Sequence, residues 1–179
     1  GLARSGAARR TAAATVPGMS TGSHRTGRRR ERRRTPAEAR WRDAALTRIA
    51  AAGHRSGGAR AAVVDLLAEE DCCLTAQEIH DALRAEGRRV GLASVYRALD
   101  VLVRLGLLHR LDLGGGTARY EAARPDHHHH VVCVECGRVS AFEDRALETA
   151  IDRLARRQDY DVDGHDVVLR GTCPQCRAV

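Results

Sequence analysis

TAQEIHDALRAEGRRVGLASVYRALDVLVRLGLLHRLDL, Thr75 to Leu113, is the stretch that decides the fold. Thr75 and Glu78 stand at the spacing of a capping box, in which the hydroxyl accepts from the N3 amide and the carboxylate reaches back to the N-cap amide. The helix they open turns Ile79 and Leu83 to one face, and Gly87 ends it. After the link RRVG a further helix begins, with Val95, Leu99 and Leu102 at i, i+4 and i+7 to seat it on its neighbour. Its other face presents Ser94, Tyr96, Arg97 and Arg104. LLHRLDL and TARYEA then read as two strands joined by a glycine turn, Gly114 to Gly116. Upstream, Ala45, Leu46, Ile49 and Ala50 form an apolar stripe, GHRSGG at Gly53 to Gly58 breaks it, and Ala61, Val63, Val64, Leu66 and Leu67 begin another helical segment. Helices followed by a hairpin predict a winged helix, whose last helix enters the major groove of DNA so that Ser94, Tyr96 and Arg97 meet phosphates and base edges. The same periodicity is compatible with a packed helical bundle in which Tyr96 and Arg97 merely line a solvated face.

Downstream lies HHHHVVCVECG, His127 to Gly137, answered by CPQC at Cys173 to Cys176. Two C-x-x-C pairs, Cys133/Cys136 and Cys173/Cys176, supply the four thiolates of a closed tetrahedral zinc site, which is structural because no coordination position is left open. If the histidine run is extended, His127 and His129 point one way and His128 and His130 the other, so one strand serves two sites. Imidazoles mixed with carboxylates form exchangeable sites. The pattern predicts a protein that holds one metal permanently and senses another. A redox reading of the cysteine pairs has no thioredoxin-like βαβ pattern around it.

Composition bounds the rest. With 179 residues the chain has room for one ordinary domain or two small ones. The longest apolar run, Val101 to Leu108, is broken by Arg104 and falls far short of the roughly 20 residues of a membrane span. Paired cysteines without a signal-peptide pattern predict a soluble, cytoplasmic protein in a reducing compartment. Twelve of the arginines fall within residues 1–42 against only Glu31 and Glu38, so the net charge of +7 resides in the tail and the remainder is acidic. Residues 1–42 are predicted to be a disordered Arg-rich arm. Its RRRERRR cluster, Arg28 to Arg34, adds salt-sensitive phosphate contacts or merely reflects compositional bias, the chain having no lysine. Met19 stands where translation of the natural protein could begin, and the tail superficially resembles a transit peptide.

The order TAQEIHDAL, GLASVYRALDVLVRLGLL, a wing ending in RYE, HHHHVVCVECG and GTCPQC resembles the ferric uptake regulator (Fur) superfamily of metal-dependent repressors, over roughly residues 55–179. The resemblance implies an α+β protein: a winged helix-turn-helix, here residues 43–123, followed by a small α/β dimerisation domain, residues 124–179, with the four-cysteine zinc site. It implies a homodimer acting on palindromic operator DNA, without enzymatic activity, small-molecule substrate or membrane. RVSAFE and DVVLRGTC suit strands of the second domain, and RALETAIDRLARRQ an amphipathic helix on Leu147, Ile151 and Leu154.

The resemblance also implies ligand sets. His128 and His130 belong to a regulatory site at the hinge between domains, with Glu121 from the wing and a ligand from the DNA-binding domain. His127 and His129 belong to a second site completed by Glu148 and His165. The hinge departs from the family pattern. Iron-type members carry His just before the T/S-A-x-E helix, where this chain has Cys73, preceded by Cys72. Zinc-responsive members with a similar HHHH run carry a Cys after the wing, where Ala122 and Ala123 stand, and an Asp in the first wing strand, where His109 stands. At 141, acidic in several relatives, is Ala141, with Glu143 nearby. The expected set is Cys73, Glu121, His128 and His130, with His109 as the competing fourth ligand and a small buried hydrophobe as the alternative role of Cys73. A thiolate predicts zinc at the regulatory site, with Fe2+ or Mn2+ for an iron- or peroxide-responsive member. Two readings of other classes stand beside this. A zinc-dependent hydrolase or deaminase lacks its H-x-E and nucleophile motifs, and a zinc-ribbon interaction module leaves the Tyr96/Arg97 face unexplained.

Overall fold

The computed structural model describes residues 34–55, 57–114, 116–125 and 127–178. The arginine-rich tail through Arg33, with the expectations placed on it, lies outside them. Helix α1, Pro36–Ala51, is opened by Thr35, whose hydroxyl accepts from the Glu38 amide while the Glu38 carboxylate accepts from the Thr35 amide. It starts earlier than Asp43, the expected end of the arm, because TPAE is itself a capping box with Pro at its first position. Glu38, read above only as a tail charge, is a buried cap.

Helices α2 (Ala59–Leu67), α3 (Ala76–Ala85) and α4 (Leu92–Arg104) form the helical body. Thr75 and Glu78 make the expected capping box on α3. Gly87, at φ 77°, ends that helix in the left-handed region where a Cβ is strained. Val95, Leu99 and Leu102 of α4 are buried against Ile79 and Leu83 of α3 and against Val63, Leu66 and Leu67 of α2. Tyr96 and Arg97 point outward, Tyr96 with 48% of its surface exposed, and Arg97 Nη2 donates to the half-buried Ser94 Oγ at 3.1 Å.

The wing is β2 (Leu108–Leu111) antiparallel to β3 (Arg119–Ala122), pairing His109 with Glu121. A two-residue strand, β1 (Leu74–Thr75), adds to the far side of β3 with Leu74 opposite Tyr120. This strand was not foreseen. It places Cys72 and Cys73, the residues just ahead of it, beside the end of the wing.

The second sheet has the order β5–β4–β6, with β4 (His129–Cys133) antiparallel to β5 (Val139–Phe142) and parallel to β6 (Val168–Gly171). Helix α5, Arg145–Arg157, makes the crossover from β5 to β6, and a single turn, α6 (Pro174–Arg177), ends the described chain. The α5 N-cap is Asp144, whose carboxylate accepts from the amides of Ala146 and Leu147. Leu147 and Ile151 of α5 are only half-buried and Leu154 is 52% exposed, so the apolar stripe read in the sequence is left uncovered within one chain.

The two halves meet over a small apolar seam. Cys73, Leu113 and Val139 are buried there, with Cys72, Leu111, Val132 and Val168 partly buried around them. Polar ties flank it. Arg119 of the wing donates to Glu78 Oε2 at 3.2 Å and to the Gly137 carbonyl at 3.0 Å, and Arg170 of β6 donates to the Leu113 carbonyl at 3.2 Å. The linker is tied back to the helices: Trp41 Nε1 donates to the Ala123 carbonyl, and Arg124 donates to the carbonyls of Leu67, Ala68 and Glu70 at the end of α2. A cation there meets the negative pole of the helix and its unsatisfied carbonyls.

Candidate metal centres

Four groups of metal-competent side chains, two of them sharing His130, stand along β4 and its ends among the described residues. In the first, Cys133 at the end of β4, Cys136 in the following turn and Cys173 and Cys176 at the start of α6 bring four sulfurs within 4.8 Å of one another. Cys136 Sγ and Cys173 Sγ are 3.9 Å apart. The turn closes through the Gly137 amide, which donates to the Cys133 carbonyl, and Gly137 has φ 69°. The backbone amides of Cys136 and Cys173 hold the Cys133 thiol down at about 6, whereas its thiol neighbours, Cys173 first, push Cys176 up to about 12. Four thiols this close resist a fourth ionisation unless a cation supplies the compensating charge. The donor set therefore fits a zinc ion.

The second group lies on the α5 side of β4. His127, His129 and His165 and the Glu148 carboxylate place one donor atom each within 4.8 Å. His129 Nε2 is 2.6 Å from Glu148 Oε1, His165 Nε2 is 3.1 Å from Glu148 Oε2, and His127 Nε2 is 3.1 Å from His165 Nε2. Glu148 stands in the first turn of α5, where the Asp144 cap fixes it against the strand. Burial pushes the Glu148 carboxyl up, but the imidazoles of His129, His165 and His127 draw it below the ordinary range. His129 is only 1% exposed, and its Nδ1 is buried without a hydrogen-bond partner. Three imidazoles and one carboxylate with donor atoms within 4.8 Å of one another match the ligand types and number of a tetrahedral site, and this set fits a divalent cation.

The third group faces the winged helix from the opposite side of β4. His128 Nε2 and His130 Nε2 lie 3.2 and 3.1 Å from the same oxygen, Glu121 Oε2, at the end of the wing. Burial pushes Glu121 up, yet the hydrogen bonds of His128 and His130 overcome it and hold the carboxyl at about 2. The Glu121 carboxylate raises His128 in return. Burial depresses His130, but Cys72 and Glu121 together hold it at about 9. His130 also belongs to a second set, with Cys72 and Cys73, whose donor atoms likewise all lie within 4.8 Å. The Cys73 thiol, through its hydrogen bond, draws Cys72 down to about 5, and Cys73 itself is pushed upward by Cys72 and by burial.

The structure places the four cysteines together, His127, His129, Glu148 and His165 together, and Glu121, His128 and His130 together, with three differences from the expected hinge set. Cys73 meets His130, in company with Cys72, but shares no donor group with Glu121 and His128. His109 faces Glu121 across the wing but is exposed and outside every donor group among the described residues. Ala141 pairs with His130 across β4 and β5 and offers no donor, while Glu143 is exposed beyond the strand. Cys72 was noted in the sequence only as the neighbour of Cys73. The signal was there, in two adjacent cysteines ahead of a capping box, but the bend that turns both sulfurs to one side is not readable from residue types.

A model of the ferric uptake regulator family matches residues 51–170. The chain belongs to this family. It is 33% identical over 136 residues to the ferric uptake regulation protein of Neisseria meningitidis, covering 74% of this chain and 93% of that one. It is 36% identical over 130 residues to the zinc uptake regulation protein of Mycobacterium tuberculosis, covering 73% of this chain and all of that one. The crystal structure of the Vibrio cholerae ferric uptake regulator aligns with a TM-score of 0.65 at 29% identity, over 71% of this chain and 98% of that one. The chain is thus a Fur-family, metal-responsive transcriptional regulator and not an enzyme. No described helix is long and apolar enough to cross a membrane.

Proposed function

We propose that the chain is a zinc-responsive repressor that binds palindromic operator DNA as a homodimer when its hinge is loaded. The observation that carries this reading is the composition of the hinge: His130 of β4 meets Cys73 and Cys72 on one side and Glu121 with His128 on the other, and sulfur beside imidazole and carboxylate donors favours zinc over iron(II) or manganese(II). Similarity to a protein named for zinc uptake supports it, although a comparable likeness runs to proteins named for ferric uptake.

The proposed roles follow from position. Cys133, Cys136, Cys173 and Cys176 hold a structural zinc that fixes α6 and the turn after β4. His127, His129, Glu148 and His165 hold a second ion that pins α5 to β4. A divalent cation at the hinge supplies a tie between the halves and neutralises the charge gathered there. Glu121 and the cysteines then fix the wing and the start of α3 against β4, so that α4 is held at one angle to the second domain. The stripe of half-buried Leu147 and Ile151 and exposed Leu154 on α5 supports a homodimer, since a partner can complete its burial. In a dimer, two α4 helices at fixed separation meet successive half-sites about one helical turn apart. Ser94, Tyr96 and Arg97 are the contact residues. The test is binding of an operator fragment by protein retaining only its structural zinc, at buffered free Zn2+, Fe2+ and Mn2+. Activation by Zn2+ at the lowest free concentration is expected, and stronger activation by Fe2+ overturns the zinc assignment.

A further inference from the structure

His130 is the pivot of two donor groups that do not merge. One is Glu121, His128 and His130; the other is Cys72, Cys73 and His130; within each, the donor atoms lie within 4.8 Å of one another, and no group joins a thiol to Glu121. An ion held by His130 therefore meets a carboxylate and an imidazole on one side or two thiols on the other. The two thiols are spaced as ligands. Two sulfurs on one tetrahedral zinc at 2.3 Å stand about 3.8 Å apart. Cys72 Sγ and Cys73 Sγ stand 4.0 Å apart, and Cys136 Sγ and Cys173 Sγ of the four-cysteine group 3.9 Å. Adjacent residues of an extended strand point to opposite faces. Here the chain bends at Asp71 and Cys72, immediately before β1, which turns both sulfurs toward β4. Leu113 and Val139 are buried beside the cysteines, with Leu111, Val132 and Val168 partly buried around them and Arg119 reaching the Cys73 carbonyl. That shell disfavours unpaired charge and favours a neutralised dithiolate.

We propose that Cys72 and Cys73 act together, with His130, as a dithiolate pocket for soft d10 divalent cations, zinc and more strongly cadmium, leaving Glu121 and His128 as the face for harder ions. Softness then sorts the cations: thiolates select the soft ones, and carboxylate with imidazole suits manganese and iron. Binding displaces into solvent whatever protons the two thiols and His130 carry and involves no electron transfer. Cys72, outside the expected ligand set, becomes a specificity-determining residue. The inference rests on the reading of the hinge as the metal-sensing centre.

The probe is Co2+, added to full-length protein that retains its structural zinc, because cobalt does not outcompete zinc for a four-thiolate site and reports thiolate ligation by a near-ultraviolet charge-transfer band. The wild type is expected to show that band, and Cys72→Ser and Cys73→Ser are each expected to retain about half its intensity per hinge-bound cobalt, with none in the double variant. Full intensity in Cys72→Ser means a single-thiolate site and overturns the proposal while the sensing reading stands. Cobalt bound at the hinge without a charge-transfer band does the same. If no cobalt is bound that His130→Ala abolishes, both fail. Cys73 is 2% exposed and its variant tests folding as well as ligation, so a second measurement uses the unmutated chain. Saturating Cd2+ is expected to slow alkylation of Cys72 by N-ethylmaleimide at least about tenfold, and equal rates with and without the ion overturn the proposal.

Discussion

Replacing Glu121 by Gln keeps the shape of the hinge and removes its charge. Glu121 Oε2 is the shared acceptor for His128 and His130, and its side chain is only 12% exposed, so solvent replaces little of what is lost. A carboxyl held at about 2 against its ordinary 4.5 corresponds to roughly 3 kcal/mol of stability at neutral pH. That contribution is present above pH 4.5 and is lost as pH falls through 2. The same interaction seen from His130, held at about 9 against 6.5, is fully present below pH 6.5 and is lost as pH rises through 9. The two shifts describe one ion pair and are counted once, with Cys72 holding part of the His130 proton. Urea unfolding of protein retaining only its structural zinc is therefore expected to show a Glu121→Gln penalty of about 2–3 kcal/mol at pH 7, shrinking to below about 1 kcal/mol at pH 9.5. A penalty under about 1 kcal/mol at pH 7, or one of the same size at both pH values, refutes the ion-pair account.

Three further outcomes are expected. Cys176→Ser removes one tightly held zinc per chain and lowers thermal stability, because metal-binding energy at such a site is folding energy; unchanged zinc content by elemental analysis sinks the four-cysteine assignment. Arg97→Ala and Tyr96→Ala each weaken operator binding by about 1–3 kcal/mol without changing metal content, and fluorescence anisotropy with unaltered affinity places the contact surface elsewhere. Zinc binding at the hinge releases more protons at pH 7 than at pH 9.5, since His130 is charged below about 9 and must be neutral to bind; calorimetric titrations in two buffers of different ionisation enthalpy read the number, and equal release at both pH values contradicts the charged state of His130.

The parts of the fold fixed by local chemistry were legible. The Thr75/Glu78 box, the Val95, Leu99, Leu102 stripe and the wing strands follow from hydrogen-bond valence and periodicity, and each lies where the sequence puts it. The alternation of His127 to His130 was legible for the same reason: strand geometry alone assigns odd and even positions to opposite faces, and Glu148 and Glu121 lie on those two faces. Part of what escaped depends on contacts distant in sequence. Strand β1 has two residues and exists because Leu74 pairs with Tyr120. Helix α1 began early because the Thr35/Glu38 box sits inside an arginine-rich stretch whose composition argues for disorder. His109 was a plausible ligand by residue type, but it is exposed on the wing and lies in no donor group among the described residues, and no pattern within LLHRLDL reports which way that edge faces.

The division of contacts between the halves explains how a single ion can govern their orientation. The main core is confined to the helices and the wing, whereas the apolar cluster of the seam, among the described residues, has just Cys73, Leu113 and Val139 buried. Arg119 and Arg170 tie across it through backbone carbonyls, and hydrogen bonds of this kind are worth roughly 1–3 kcal/mol each, with much of that offset by ordering two long side chains. An interface so small leaves domain motion as the default. A hundredfold change in DNA affinity needs only about 2.7 kcal/mol of coupling, less than a well-formed metal site contributes. The hinge donors come from both halves, Cys72, Cys73 and Glu121 on one side and His128 and His130 on the other. On the proposed reading, an ion held among them stabilises one relative orientation over others, and by reciprocity operator DNA that prefers that orientation would tighten the grip on the ion.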